Sequence, residues 1–256
     1  MCRNEGINVV TNAKVTLVKG KSGESVRLLG SRDGGVLLLE GTHLLVAAGR
    51  TPNTSGIGLE KAGVERTDRG HVKVNERLQT TAEGVWAVGD CAGSPYFTHI
   101  SADDFAVVSD NIAGGNRVTT GRQVPFCLFT DPEFARIGLS ETEAKQRGIP
   151  YRLAKLPMSS VFRAMTISET QGFMKALIDL ESDRILGFTM LGTSAGEVMT
   201  TVQLTMLAGL PYTALRDAVI THPTVSEGLI PLLLSVPAKP SHQGSVFGSA
   251  AYNECA

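Results

Sequence analysis

The sequence predicts an α+β domain of antiparallel strands followed by helices over residues 122–240, preceded by partial α/β segments. Two observations carry that reading. From Gln123 onward, strand-length apolar runs give way to helical stretches, the order expected when a sheet is covered by helices that follow it in sequence. Earlier in the chain, short apolar runs end in glycine-containing loops: Leu44–Gly49 leads into Arg50-Thr51-Pro52-Asn53, and Val85–Val88 leads into Gly89-Asp90. Runs of that length are too short for helices and suit buried strands.

The elements follow in order. Val9–Val18, Ser25–Leu29 and Val36–Glu40 are Val- and Leu-rich, and Gly20, Gly23, Gly34 and Gly35 punctuate them as turns. Leu44–Gly49 reads as a buried strand. Leu59–Gly63 reads as the end of a short helix, and His71–Val74 and Gly84–Val88 as short strands. Phe97–Ala113 places Ile100, Phe105, Val108 and Ile112 near helical spacing, and Gly114-Gly115 stops it. A boundary falls near Gly121. Beyond it, Val124–Phe129, Phe134–Ile137, Tyr151–Leu156, Gly172–Asp179 and Ile185–Leu191 read as strands. Ser140 with Glu143 has capping-box spacing for a helix. Helices are expected over Ala195–Ala208 and Val225–Leu234, with a shorter one between them. The Gly- and Ser-rich stretch 241–256 is expected to be a disordered tail.

Composition excludes several function classes. Apolar residues make up 42% and charged residues 19%, a globular balance rather than that of a disordered chain. The net charge of -1 gives no broad electrostatic reason to bind nucleic acid or an anionic membrane. No apolar run is long enough to span a bilayer, and the first residues do not resemble a secretory signal. Cys2, Cys91, Cys127 and Cys255 are scattered. No C-x-x-C or C-x-x-x-x-C pair is present, so there is no local zinc or redox-dithiol signature and no metal site is expected. Four reduced thiols suit a cytoplasmic protein, although a disulfide between distant cysteines stays open. There is no internal repeat, no G-x-G-x-x-G and no P-loop.

Two segments have the residue types for chemistry. Val85–Val88 delivers Asp90 at a strand's C-terminal end directly after Gly89, where the backbone can approach a ligand and the carboxylate can accept bonds from sugar hydroxyls. The helix beginning near Phe97 would turn its free N–H groups toward a negative group. A plain Asp-containing turn is the alternative. In the second segment, Thr221-His222-Pro223-Thr224, Pro223 suits a first helical turn, and Glu227 lies one turn on. A carboxylate beside an imidazole fixes its tautomer and allows general acid–base work. A capping His with a first-turn Glu is the alternative. His43, His71 and His242 have no comparable setting, and Cys91 reads as a small buried residue.

Thr80-Thr81 followed by Ala87-x-Gly89-Asp90 resembles the second flavin-binding motif of the class I pyridine nucleotide–disulfide oxidoreductases, the glutathione reductase and dihydrolipoamide dehydrogenase family. Upstream, Leu45–Asn53 resembles the family's apolar strand ending in Gly-Arg-x-Pro-Asn, and Thr221–Glu227 resembles its C-terminal His-Glu motif. The resemblance spans about Gly6 to Lys239. It implies Rossmann-like FAD/NAD(P)-binding segments followed by a dimerisation domain. Residues 1–50 would be the tail of the NAD(P)-binding domain, 51–121 the C-terminal part of the FAD-binding domain, and 122–240 a homodimer interface.

The resemblance further implies FAD and NAD(P)H as cofactors. Asp90 and Gly89 would hold the ribityl chain, with the backbone of Thr98 and His99 at the flavin pyrimidine edge. Gly49 and Arg50 would lie at the nicotinamide nucleotide. His222 and Glu227 would form a proton-transfer dyad acting in the partner subunit on a small-molecule or disulfide substrate. The first flavin fingerprint, the C-x-x-x-x-C pair and the nucleotide-binding glycines do not occur in these residues. The chain therefore reads as an excised piece, a truncated gene product or a fragment of a longer chain, and a non-catalytic homodimerisation module is the alternative function. Phe97–Asp104 and Phe162-Arg163-Ala164 look closest to mercuric-reductase-like and reactive-chlorine-resistance members. Mercury reduction itself is doubtful, because Cys255 has no vicinal cysteine.

Overall fold

A computed structural model describes residues 2–239. It divides after Pro52 into two compact units. Cys255, His242 and the stretch expected to be a tail lie outside the described residues.

The first unit is an antiparallel meander. β1 (Ala13–Lys21), β2 (Ser25–Arg32) and β3 (Gly35–Gly41) pair in that order. Asp33 and Gly34 form a two-residue loop with φ of 48° and 83°. Two positive φ values define the primed turn whose twist matches the strands it joins. β1 starts at Ala13 rather than Val9 because its partner β2 ends at Arg32, opposite Ala13. Leu44–Gly49 forms no strand, and Leu45 and Val46 are exposed. An apolar run marks a segment suited to burial on both faces, but a strand exists only through its ladder. Among the described residues no strand pairs with this one.

The second unit begins with loops and single bridges. A 3-10 turn covers Leu59–Ala62. The strands expected at His71–Val74 and Gly84–Val88 reduce to isolated bridges, Arg66 with Val72 and Gln79 with Trp86. α1 (Thr98–Ile112) ends at Ala113, with Gly114 in the left-handed region. It buries Ile100, Asp104 and Val107, while Phe105 and Ile112 are largely exposed. The inward stripe is thus i, i+4, i+7 with a carboxylate at its centre, which a purely apolar periodicity search passes over.

The rest is the expected α+β layer. In chain order it contains β4 (Phe126–Leu128), β5 (Phe134–Gly138), α2 (Glu141–Gln146), β6 (Tyr151–Pro157), α3 (Phe162–Thr166), β7 (Phe173–Asp179), β8 (Ile185–Leu191), α4 (Ala195–Leu207), α5 (Tyr212–Arg216) and α6 (Leu229–Leu234). The sheet is antiparallel in the order β4-β5-β8-β7-β6. α4 packs on β5 and β8, and α6 on β6 and β7. The inward residues of β7 (Met174, Ala176, Ile178) and β8 (Phe188, Met190) meet Val198 and Val202 of α4 and Leu229, Leu232 and Leu233 of α6 in one buried core. Ser140 caps α2, and Glu143 closes the box by accepting the Ser140 N–H. That carboxyl is held below its usual range, first by the Ser140 hydroxyl.

Candidate functional site

His222 lies in the turn that enters α6. Thr224, not Pro223, starts the helical path. Its Oγ1 accepts the Glu227 N–H (3.2 Å), and Glu227 Oε2 accepts the Thr224 N–H (3.4 Å). This is a Thr-x-x-Glu capping box. It opens a 3-10 turn, Ser226–Gly228, which runs straight into α6. The His222–Pro223 bond is cis, and Pro223 lies in the bend before the helical path, not in the first helical turn expected from sequence. Gly228 lets this entry press onto the core: a Cβ there would meet Val161 Cγ2 at 2.9 Å and Met174 Cε at 3.1 Å.

The box fixes Glu227, whose side chain is 14% exposed, and Glu227 fixes His222, which is 66% exposed. Nδ1 lies 2.9 Å from Oε2 and 3.1 Å from Oε1. An ionised carboxylate only accepts, so this pairing places the imidazole proton on Nδ1 and leaves Nε2 as the basic nitrogen. The Phe162 ring meets the imidazole edge-on, with centroids 5.5 Å apart at 72°. Both border a groove of about 420 Å³ that includes Ser160, Ile220 and Pro231. The arrangement is an oriented, solvent-reachable base on a rigid support.

Asp90 lies in a 3-10 turn, Gly89–Ala92, rather than at a strand end. Gly89 has φ of 68°, and a Cβ there would stand 2.7 Å from Ser101 Oγ of α1. Its N–H donates to Asp104 Oδ2 (2.7 Å). Asp104 is fully buried, and its other oxygen accepts from Arg122 Nη1 (2.5 Å). Arg122 also donates to Asp103 (3.0 Å) and Ser94 (3.4 Å). Burial pulls the Arg122 guanidinium down, but its bonds to Asp104 and Asp103 hold it above its ordinary value. Phe97 provides no side-chain cap to α1, so the first-turn N–H groups of Thr98 and His99 point out of the helix end. The His99 ring turns away to Pro125 O (2.8 Å) and stacks on Phe97. Cys91 is half-buried rather than buried, and its thiol donates to Val88 O (3.3 Å).

Gly49, with φ of 111°, and Arg50 are exposed in the first unit. Two residues that hold these sites escape a motif search. Asp104 and Arg122 are far apart in sequence and meet only through the fold. Thr224 was legible, since its spacing to Glu227 is the same capping-box signal as at Ser140.

Residues 124–232 match the sequence profile of the pyridine nucleotide-disulphide oxidoreductase dimerisation domain, and residues 1–104 match that of pyridine nucleotide-disulphide oxidoreductase. The probable pyridine nucleotide-disulfide oxidoreductase RclA of Escherichia coli K12 is 36% identical over 229 residues, 89% of this chain and 51% of that protein. The dihydrolipoyl dehydrogenase of Thermus scotoductus is 38% identical over 227 residues, 88% of this chain and 49% of that protein. The solved structure of the HOCl-induced flavoprotein disulfide reductase RclA from Escherichia coli superposes with a TM-score of 0.83 at 35% identity, covering 92% of this chain and 53% of that one. The chain spans about half the length of the curated relatives it matches.

Proposed function

Since this chain belongs to the pyridine nucleotide–disulphide oxidoreductase family, we propose that it supplies the second flavin motif, the homodimer interface and the proton-transfer dyad of an FAD-dependent NAD(P)H oxidoreductase. FAD, when bound, supplies the chemistry of accepting electrons from a nicotinamide and passing them on. The residues present fit it. A carboxylate at Asp90, in a 3-10 turn that Gly89 packs tightly against Ser101 of α1, suits a ribityl chain. The uncapped start of α1 at Thr98 and His99 suits an electron-rich ring edge. Gly49 and Arg50 would lie at the nicotinamide nucleotide.

The dyad's orientation is the observation that carries the reading. His222 Nε2 takes a proton from a thiol or returns one, and Glu227 stabilises the imidazolium through Nδ1. The substrate is a small molecule or a disulfide, and residues 122–240 form the homodimer. The protein works in the cytoplasm, on neither nucleic acid nor membrane. Among the described residues no helix is long and apolar enough to cross a bilayer. The domain division 1–50, 51–121 and 122–240 follows this assignment. A second reading, a non-catalytic homodimerisation module, is favoured by the absence of a C-x-x-x-x-C pair from these residues. NAD(P)H oxidation by the protein from its complete gene distinguishes them. His222→Gln should lower turnover by about 10²–10⁴-fold; equal nonzero rates for variant and wild type would remove the dyad from the reaction, and a folded wild type that oxidises no NAD(P)H would leave only the dimerisation reading.

A further inference from the structure

We propose that Asp104 and Arg122 are positioning residues that hold the Gly89–Ala92 backbone in shape and thereby set how tightly the protein binds FAD. The inference rests on the reading of the Asp90 turn as a flavin site.

Gly89 brings no steric guide of its own, because glycine enters the left-handed region about as readily as any other. Its φ of 68° must therefore be held from outside. Asp104 does this. Its carboxylate is fully buried, and one oxygen accepts the Gly89 N–H at 2.7 Å. A charge so buried persists only with an ionic partner. Arg122 is that partner, at 2.5 Å, and it bridges onward to Asp103 and to Ser94, just past the turn. The clamped N–H belongs to the Val88–Gly89 peptide, one plane before the one that carries Asp90, so loss of the clamp would free the Gly89 backbone to rotate and swing the Asp90 side chain away from a ligand. Arg122 also stands two residues before the dimerisation-domain match begins at residue 124. The clamp thus ties the flavin turn to the segment entering that domain.

Asp104→Asn keeps the volume but cannot serve both partners. Its single carbonyl can accept from Gly89 or from Arg122, and its NH₂ then opposes the other donor. Arg122→Lys keeps the charge but loses the bridge to Ser94 and one carboxylate. Two readouts on the full chain test the clamp: amide hydrogen exchange at Gly89 and Asp90, and FAD dissociation followed by flavin fluorescence. Asp104→Asn should speed exchange at Gly89 and weaken FAD binding, each by about tenfold or more, as loss of a charge-assisted bond implies. Arg122→Lys should fall between wild type and Asp104→Asn, with helix content and oligomeric state unchanged. Wild-type exchange at Gly89 in a folded Asp104→Asn protein would overturn the clamp. Should Asp104→Asn not fold, wild-type exchange and affinity in Arg122→Lys would overturn it equally. A wild-type protein that takes up no FAD would sink the flavin reading and the affinity claim together, while exchange would still decide whether the clamp holds the turn.

Discussion

Replacing Gly89 with alanine tests the turn at its tightest point. The left-handed φ of 68° costs an L-residue about 1–2 kcal/mol. The new Cβ would stand 2.7 Å from Ser101 Oγ and 3.3 Å from Ser101 Cβ. The hydroxyl can rotate away, but it then gives up its 3.4 Å bond to Phe97 O, a loss of about 1 kcal/mol. Alanine also restricts the unfolded chain, offsetting about 0.4–1 kcal/mol. The net expectation is a destabilisation of about 1–2.5 kcal/mol. The chain's single tryptophan, Trp86, lies three residues before Gly89, so urea unfolding followed by its fluorescence reports on this region. Adding Ser101→Ala removes the Oγ contact and should recover about 1 kcal/mol of the loss, leaving the backbone cost. A Gly89→Ala protein within about 0.5 kcal/mol of wild type, or a double variant showing no coupling, would refute the steric argument.

Other expectations follow from the same geometry. Thr224→Ala removes the cap that orients Glu227 and should cost about 1 kcal/mol by denaturant unfolding, with a further fall in turnover because His222 loses its anchor. Glu227→Gln should lower turnover by at least about tenfold and change the pH–rate profile, since the neutral amide no longer enforces the Nδ1 tautomer. Phe188→Ala in the sheet core should cost about 3–5 kcal/mol. Acidification should destabilise the protein. Glu141 is held low by Lys175, Glu143 by Ser140, and Asp179 by the Ser182 N–H. These groups have depressed folded values, so their contribution is present above the ordinary carboxylate range near about 4 and is lost as pH falls through the lower folded values. Lys175→Met should flatten that slope in acid titrations followed by circular dichroism. Light scattering after size exclusion should give a dimer, and a stable monomer would contradict the interface assigned to residues 122–240.

Much of the second unit's sheet and helices was legible because its apolar runs have strand or helix length and end at glycines or caps. Ser140-x-x-Glu143 is the clearest case, since the reciprocal bonds it implies are the ones formed. The failures share a cause. Leu44–Gly49 and Val85–Val88 have strand composition, but composition does not supply a ladder partner. The face of α1 was misjudged because its buried centre is Asp104, a charge that a hydrophobic pattern assigns to solvent. His222 and Glu227 were found by spacing, and the structure sets them 2.9 Å apart. Asp104 and Arg122 were not found, because an ion pair across 18 residues has no local signal.

The central claim is that the Gly89–Asp90 turn belongs to a flavin site. Its most direct measurement is the bound-flavin content of the protein purified from its complete gene, with Asp90→Ala alongside. The account predicts near-stoichiometric FAD in the wild type and a clear loss in the variant at unchanged fold. A folded wild-type protein without flavin, or a variant that holds FAD as tightly as wild type, would contradict it.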